Sequence, residues 1–488
     1  MRVVQLLEYI NMTTEDLFNR VLSKAKEFGL IAKNEGRNIT EPKGNSIIRN
    51  NLLDISFKDG SAFFAFLSSE EETTGPYSDF SFVVFPDKKD EIETCVVALG
   101  VGSSGFRNDY QLASMPGLRR LFLKLNSQTN SFFKTSFDDI ESTSSDLLNE
   151  VRANYPLLKT VVESYKTVLP ASQIILFDDE EKALDKIYTW LASYAKMRSW
   201  GTAAQKKVVE TQLDKLPKPE RPNEEEDIRK LLEQRKYVVL QGAPGTGKTH
   251  TALKIASKYD EVFFEQFHAE TNYSDFVFGI EPNLDLDSKE VKFKKKEGVL
   301  YKAIKYAKDT PTNNVLLIID EINRANLSNV LGPVFYLFEY QSGSRNVKVK
   351  VGDMELEKLP ENLHVIATMN TADRSLAVVD FALRRRFAWY TLRPHEISVG
   401  NGMAFMQKVY NKFADIFFEF ATDEELNLQP GQSYFIVSKD NKDEEMKERM
   451  IYELMPLIKE YLAEGYLRKA KDSLCDLFLK ETGKLMYE

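Results

Sequence analysis

Residues 242–249 read GAPGTGKT, which fits G-x-x-x-x-G-K-[ST] and limits what this chain can fold into more than any other stretch. The apolar, β-branched YVVLQ precedes it, and HTALKIASKY, spaced as a helix, follows. Strand, glycine loop and helix in that order describe a phosphate cradle. The glycines let successive backbone N–H groups turn inward at a helix N-terminus, where the partial charge is positive. Gly242, Ala243, Pro244, Gly245, Thr246, Gly247, Lys248, Thr249 and His250 are therefore expected to line a nucleotide. Lys248 belongs on the β/γ-phosphates and the Thr249 hydroxyl on Mg²⁺. The competing reading is a glycine-rich turn with a chance lysine, and the flanking strand and helix weigh against it.

Downstream, strand and helix alternate through KYVVLQG, THTALKIASKY, EVFFEQF, GVLYKAIKYAKD, NVLLIIDE, LSNVLGPVFYLFEYQ and LHVIATMN. That alternation predicts a parallel sheet covered by helices, an α/β P-loop fold. NVLLIIDEINRAN ends a strand in two acids. Asp320 is expected to orient Mg²⁺ through water, and Glu321 to polarise the attacking water. Two acids ending a strand are common, so the phosphate loop upstream gives the pair its weight. LHVIATMN ends at the same sheet edge. It puts Asn370 near the γ-phosphate, where an amide can donate to phosphate and accept from water. The stretch continues as TMNTADRSLAVVDFALRRRF, residues 368–387, ending in three consecutive arginines. Arginines so close repel unless an anion or a neighbouring subunit meets them. An arginine finger reaching into a neighbour's site would use them, and a solvated helix end is the bland alternative.

Length and composition set the frame. At 488 residues the chain is too long for one ordinary core, and DKLPKPERPNEEEDIRK (214–230) reads as a stiff, solvated connector. The expected domains are an α+β N-terminal module over 1–143, a helical segment and linker over 144–227, a nucleotide-binding α/β domain over 228–393, and a helical lid over 394–488. The formal charge of -9 argues against a surface built throughout to coat nucleic acid, though a local basic patch remains open. Two distant cysteines, Cys95 and Cys475, have no metal-ligand spacing and suit a reducing compartment. No apolar run approaches the ~20 residues of a membrane span and no secretory leader is evident, so a cytoplasmic protein is expected, without membrane partners.

Four stretches together carry a family resemblance: GAPGTGKT, FHAETNYSDFVFGIEP (267–282), IDEINRAN (319–326) and TMNTADRSLAVVDFALRRRF. The chain from about 230 to 440 resembles AAA+ NTPases, and within them the McrB family, the GTPase motor subunits of McrBC-type modification-dependent restriction systems. The resemblance implies hydrolysis of GTP, with ATP left open, and Mg²⁺ as cofactor. It implies a homo-oligomeric ring, hexameric by family habit, and a separately encoded McrC-like nuclease. DNA recognition would fall to the N-terminal module, which itself matches no known reader. Asn370 would be the sensor, Asp373 and Arg374 part of the signature loop, and Arg386 the finger. Arg385 and Arg384 are its alternatives, or structural residues at the subunit boundary, which Asn323 and Arg324 would also face. The sequence departs from the family at LQPGQSYF (428–435), where Gln432 stands in place of the usual histidine. The competing functions are a MoxR-like ATP-driven protein remodeller, which shares DEINR but not Met-Asn-Thr-Ala-Asp-Arg, and a nucleotide-switched scaffold with little turnover.

Some features remain two-sided. VKVKVGDMELEKL (347–359) predicts a β-hairpin about Gly352-Asp353 that either meets a ligand or is an inert edge. VKFKKKEG (291–298) lines a pore or is a solvated face. In the front module Arg107, Arg119, Arg120, Lys124 and Lys134 interleave with Tyr110, Phe122, Phe132 and Phe133, which suits phosphate contact with base stacking, or core aromatics with exposed basics. Asp287, Glu290 and Lys292 can be forced into a nuclease pattern, but nothing around them reads as a nuclease core.

Overall fold

Antiparallel pairing dominates the first part of this molecule and parallel pairing the second. The structure, a computed structural model, describes residues 12–35, 45–68, 80–100, 116–125, 129–133, 145–166, 168–198, 200–216, 223–283, 292–339, 348–372, 381–400 and 402–487. The chain divides into two compact units, 1–220 and 221–488.

In the first unit seven strands form one sheet: β1 (Ala32–Glu35), β2 (Ser46–Asn51), β3 (Phe63–Ser68), β4 (Ser81–Pro86), β5 (Thr94–Gly100), β6 (Ser131–Phe133) and β7 (Ala171–Leu176). Their order is β1-β2-β3-β4-β5-β7-β6, antiparallel except for β1 with β2. Every residue of β3, β4 and β5 is buried, because helices cover both faces. Phe64, Phe66, Phe82, Val84, Val97 and Leu99 face a core shared with the helices Thr14–Glu27 and Glu180–Arg198. The alternate residues Phe63, Ala65, Leu67, Val83, Phe85 and Val96 face the helices Ser145–Asn154 and Lys159–Ser164. Double burial makes these strands read as continuous apolar runs rather than alternating ones.

One element departs from the helical reading of 144–209: ASQIIL is strand β7, paired to β5 from Thr94↔Leu176 to Leu99↔Ala171. Six residues between two helical stretches are too few to show a period, and only pairing to β5 decides their conformation. The buried Trp190 on the covering helix donates its indole N–H to Gln173 Oε1 of β7 at 2.7 Å, so the strand and the helix share one satisfied polar pair.

The second unit is built on five parallel strands: β8 (Tyr237–Gly242), β9 (Glu261–Gln266), β12 (Val315–Asp320), β15 (Leu363–Asn370) and β16 (Ala388–Thr391), in the order β16-β8-β15-β12-β9. Two hairpins lie between them in the chain, β10 (Phe278–Asn283) with β11 (Lys292–Glu297), and β13 (Val349–Val351) with β14 (Met354–Leu356). The latter turns at Gly352, as the sequence predicts. One face of the sheet packs Val238, Leu240, Leu316, Ile318 and Ile366 on the helices Glu224–Arg235 and Lys248–Ala256. The other face packs Val239, Leu317, Ile319, Val365 and Ala367 on Val299–Asp309 and neighbours. LSNVLGPVFYLFEYQ, read as one helix, breaks into a helix over Leu327–Leu331 and a tighter 3₁₀ run over Gly332–Phe338. Gly332 at φ +47° and the following proline interrupt the α-helical ladder. Residues 403–487 hold the helices Gln407–Phe420, Met455–Ala463 and Lys471–Thr482 around a separate apolar core. Among the described residues no helix is long and apolar enough to cross a membrane.

Candidate active site

Parallel pairing brings strand ends to one edge. Asn370 of β15 lies opposite Gly242 of β8, and Asp320 of β12 opposite Gln266 of β9. Four segments separated in sequence therefore end at one edge, the carboxyl edge where open α/β sheets hold ligands.

The phosphate loop leaves β8 at Gly242, and its helix begins at Lys248. Gly245 and Gly247 sit at φ +78° and +82°, a left-handed backbone that glycine adopts without strain. Gly242 is required for a different reason: a Cβ there would come 2.4 Å from the Leu392 carbonyl oxygen. Lys248 is buried, and its ammonium donates to the carbonyls of Gly242 (3.0 Å) and Ala243 (2.9 Å). Thr246 is buried, with its hydroxyl on Ala243 O, whereas His250 is exposed on the helix.

Asp320 links the loop to the acidic strand. Its Oδ1 accepts from the Thr249 hydroxyl at 2.8 Å and from the Thr368 hydroxyl at 2.7 Å. Gln266 Nε2 approaches Oδ2 at 3.4 Å. Thr368 also accepts from the Glu321 backbone N–H at 3.0 Å, so one hydroxyl orients both acids. Sequence alone does not single out Thr368. The available signal was a lone hydroxyl inside the apolar run of β15. Glu321 adopts φ +55°, ψ +49°, a left-handed conformation that costs a non-glycine residue about 1 kcal/mol or more and clusters at functional positions. Its carboxylate lies 3.5 Å from Arg324 Nε. Asn370 accepts through Oδ1 from the Ala372 N–H at 3.3 Å.

A hydroxyl and a carboxylate joined across the loop are the hard oxygen donors that Mg²⁺ prefers. Among the described residues no three His, Cys, Asp or Glu side chains gather as a self-sufficient metal cage.

The three arginines occupy different settings at the end of the helix Phe381–Arg386. Arg386 is buried. It pairs with Glu339 Oε1 at 3.1 Å, and its guanidinium lies 4.3 Å from the Phe335 ring centre. Arg385 is 69% exposed at its side chain and shares Glu339 at 3.2 Å. Arg384 is exposed and lies over Trp389. Asn323 is buried, while Arg324 is half exposed. Asp373 and Arg374 lie outside the described residues, as do Asp287, Glu290 and most of the 105–137 stretch. Of that stretch, Arg120 and Lys124 lie on the helix Pro116–Leu125, and Phe132 and Phe133 pack as half-buried aromatics. The lysines of 291–298 form β11, where Lys294, Lys295 and Lys296 pair with Glu281, Asp353 and Asp275.

A third element reaches the loop from the helical region after residue 403. The Gly431 N–H donates to Pro244 O at 2.9 Å and the Ser433 N–H to Gly245 O at 3.1 Å. The Thr371 hydroxyl donates to Asn427 O at 2.8 Å. At the start of the helix Glu224–Arg235, burial pushes the Glu224 carboxyl up. His395 is 3.8 Å away, and the Tyr390 hydroxyl donates to Asp227 at 3.5 Å.

The chain is similar to known proteins. The family described as AAA domain (dynein-related subfamily) matches residues 237–387. The chain is 33% identical over 272 residues to the "Type IV methyl-directed restriction enzyme EcoKMcrB subunit" of Escherichia coli (strain K12), covering 50% of this chain and 58% of that protein. It is 30% identical over 182 residues to the "Type II restriction enzyme BsuMI component YdiS" of Bacillus subtilis (strain 168), covering 34% and 51%. The chain thus spans just over half the length of these curated relatives. A solved structure of a Cytophaga hutchinsonii protein overlaps 53% of this chain and 76% of its own at 17% identity, with a TM-score of 0.26, and carries no argument.

Proposed function

The chain is a McrB-family AAA+ protein, and from that premise we propose that it hydrolyses a nucleoside triphosphate, GTP in preference to ATP, to drive a separate nuclease in a restriction system. The observation that carries the reading is the 2.8 Å bond from Thr249 to Asp320, which joins the phosphate loop to the acidic strand end. Around it each side chain has a task. The loop N–H groups and Lys248 hold the phosphates. Thr249 and Asp320 would hold Mg²⁺, which would supply positive charge to offset that of the phosphates. Glu321, fixed through its own N–H, polarises a water in line with the γ-phosphate, and Asn370 orients that water.

The arginine assignment divides. Arg386, buried against Glu339 and Phe335, positions the end of its helix. The exposed Arg385 on the same carboxylate is the group free to reach a neighbouring subunit's phosphates in a homo-oligomeric ring. Recognition of DNA is assigned to the first unit, which supplies none of these groups. A separately encoded McrC-like nuclease is the proposed partner, a reading supported by the relatives' descriptions as a subunit and a component of restriction enzymes.

The test is phosphate release by the full chain from GTP and from ATP with Mg²⁺, alone and with the nuclease encoded beside it. GTP turnover raised by the nuclease is expected. ATP turnover that a protein client raises and the nuclease does not would instead identify a remodeller.

A further inference from the structure

Pro430-Gly431-Gln432-Ser433 is wedged against the phosphate loop by the two backbone bonds from Gly431 and Ser433. The approach is close enough that a Cβ on Gly431 would fall 2.0 Å from the Gly245 carbonyl carbon. Between those anchors Gln432 turns inward and is only 8% exposed. Its Nε2 donates to Thr246 O at 2.9 Å, and a Cβ on Gly247 would lie 3.7 Å from the same nitrogen. A carbonyl only accepts, so the nitrogen must face Thr246 and the orientation of the amide follows from chemistry. Oε1 then points the other way, buried, with no donor among the described residues in reach. Buried acceptors are rarely left so without a reason.

We propose that Gln432 Oε1 accepts a hydrogen bond from the nucleoside part of the bound nucleotide, a ribose O–H or a base N–H, and so couples lid docking to nucleotide identity. The proposal rests on the reading of this loop as a nucleotide site. Phosphates at neutral pH present acceptors, which an amide oxygen cannot satisfy, whereas the nucleoside presents donors. The amide bridges two partners: its nitrogen holds the loop and its oxygen holds what the loop carries. A histidine in its neutral form can keep both roles, donating from one ring nitrogen and accepting at the other.

Calorimetric titration of the full chain tests this with GDP and ADP and with analogues that each lack one donor: 2′-deoxy, 3′-deoxy, inosine, N1-methylguanosine and N6-dimethyladenosine diphosphates. Wild type should lose about 3- to 10-fold in affinity for one analogue, the scale of a single hydrogen bond. Gln432→Met should bind the parent nucleotide more weakly and show no further loss with that analogue. A purely structural Gln432 would weaken all ligands alike, leaving the ratio unchanged. That result, or a wild type indifferent to every analogue, overturns the proposal. Gln432→His keeps the comparison open if the Met variant does not fold. It should discriminate as wild type does at pH 8 and lose discrimination at pH 5.5, where the imidazolium cannot accept; equal discrimination at both values counts against it. Wild type binding neither GDP nor ADP would refute the nucleotide site itself.

Discussion

The seven-stranded and the five-stranded sheet each pack an apolar core on both faces yet differ in what they deliver. In the second unit all five strands run the same way, so Gly242, Asp320 and Asn370, drawn from three separate segments, finish at one edge. In the first unit neighbours from β2 through β5 run in opposite directions, and successive strand ends go to opposite edges. An antiparallel sheet has no shared edge at which polar strand ends accumulate. Whatever it recognises must be met by loops or helices, which leave weaker marks in sequence. Parallel topology concentrates chemistry, and antiparallel topology supplies a platform.

Four substitutions test that division, beginning with the largest effect. Lys248→Ala should remove nucleotide binding and lower phosphate release by about 10³-fold or more, since no other described side chain takes its place on the phosphates. Retained turnover would mean that the chemistry lies elsewhere in the chain. Arg385→Ala should lose a similar factor alone and recover turnover when mixed with Lys248→Ala subunits, because mixed rings regain interfaces holding both groups. Sedimentation would check that such rings assemble. If only Arg386→Ala complements, the reaching group is the buried arginine after all.

In the first unit, Trp190→Ala should destabilise by about 3–5 kcal/mol, through a cavity and the orphaned Gln173 oxygen. Chemical unfolding followed alongside phosphate release should show that unit loosening before turnover falls. Simultaneous loss would erase the proposed separation.

The smallest effect concerns pH. Burial, helped by Lys236, holds the His364 imidazole down to about 4, with Tyr259 in contact at 2.9 Å. A histidine depressed in the fold lets the unfolded chain bind more protons between that value and about 6.5. Stability contributed there is full above about pH 6.5 and declines as pH falls toward 4, by on the order of 2 kcal/mol. Urea midpoints for wild type and His364→Gln should diverge in slope across that window and run parallel above it.

The same contrast decides how much could be read from sequence. The strand, loop and helix over 237–256 were legible because a glycine pattern, a β-branched run and a helical period each mark themselves locally. The family likeness rested on the same kind of local pattern, and the relatives bear it out. Thr368 was not legible: one threonine in a strand is ordinary, and its position between two acids depends on β12–β15 register. Nor could RRRF reveal which arginine Glu339 holds, since that carboxylate sits 46 residues upstream of Arg385. Strand β7 was hidden because its six residues, ASQIIL, take their conformation from β5, not from themselves. Gln432 stood out only as a departure. Its contact with Thr246, 186 residues away, is a tertiary fact.

The most direct measurement sets binding against turnover in Glu321→Gln. The change removes the charge that activates water, while the glutamine can keep the backbone N–H bond to Thr368 and leaves Lys248, Thr249 and Asp320 in place. Nucleotide affinity by calorimetry should stay within a few-fold of wild type. Phosphate release should fall by about 10²-fold or more, the scale of a lost general base. Turnover undiminished, or affinity and turnover lost together, would contradict the assignment of this strand end as the hydrolytic centre.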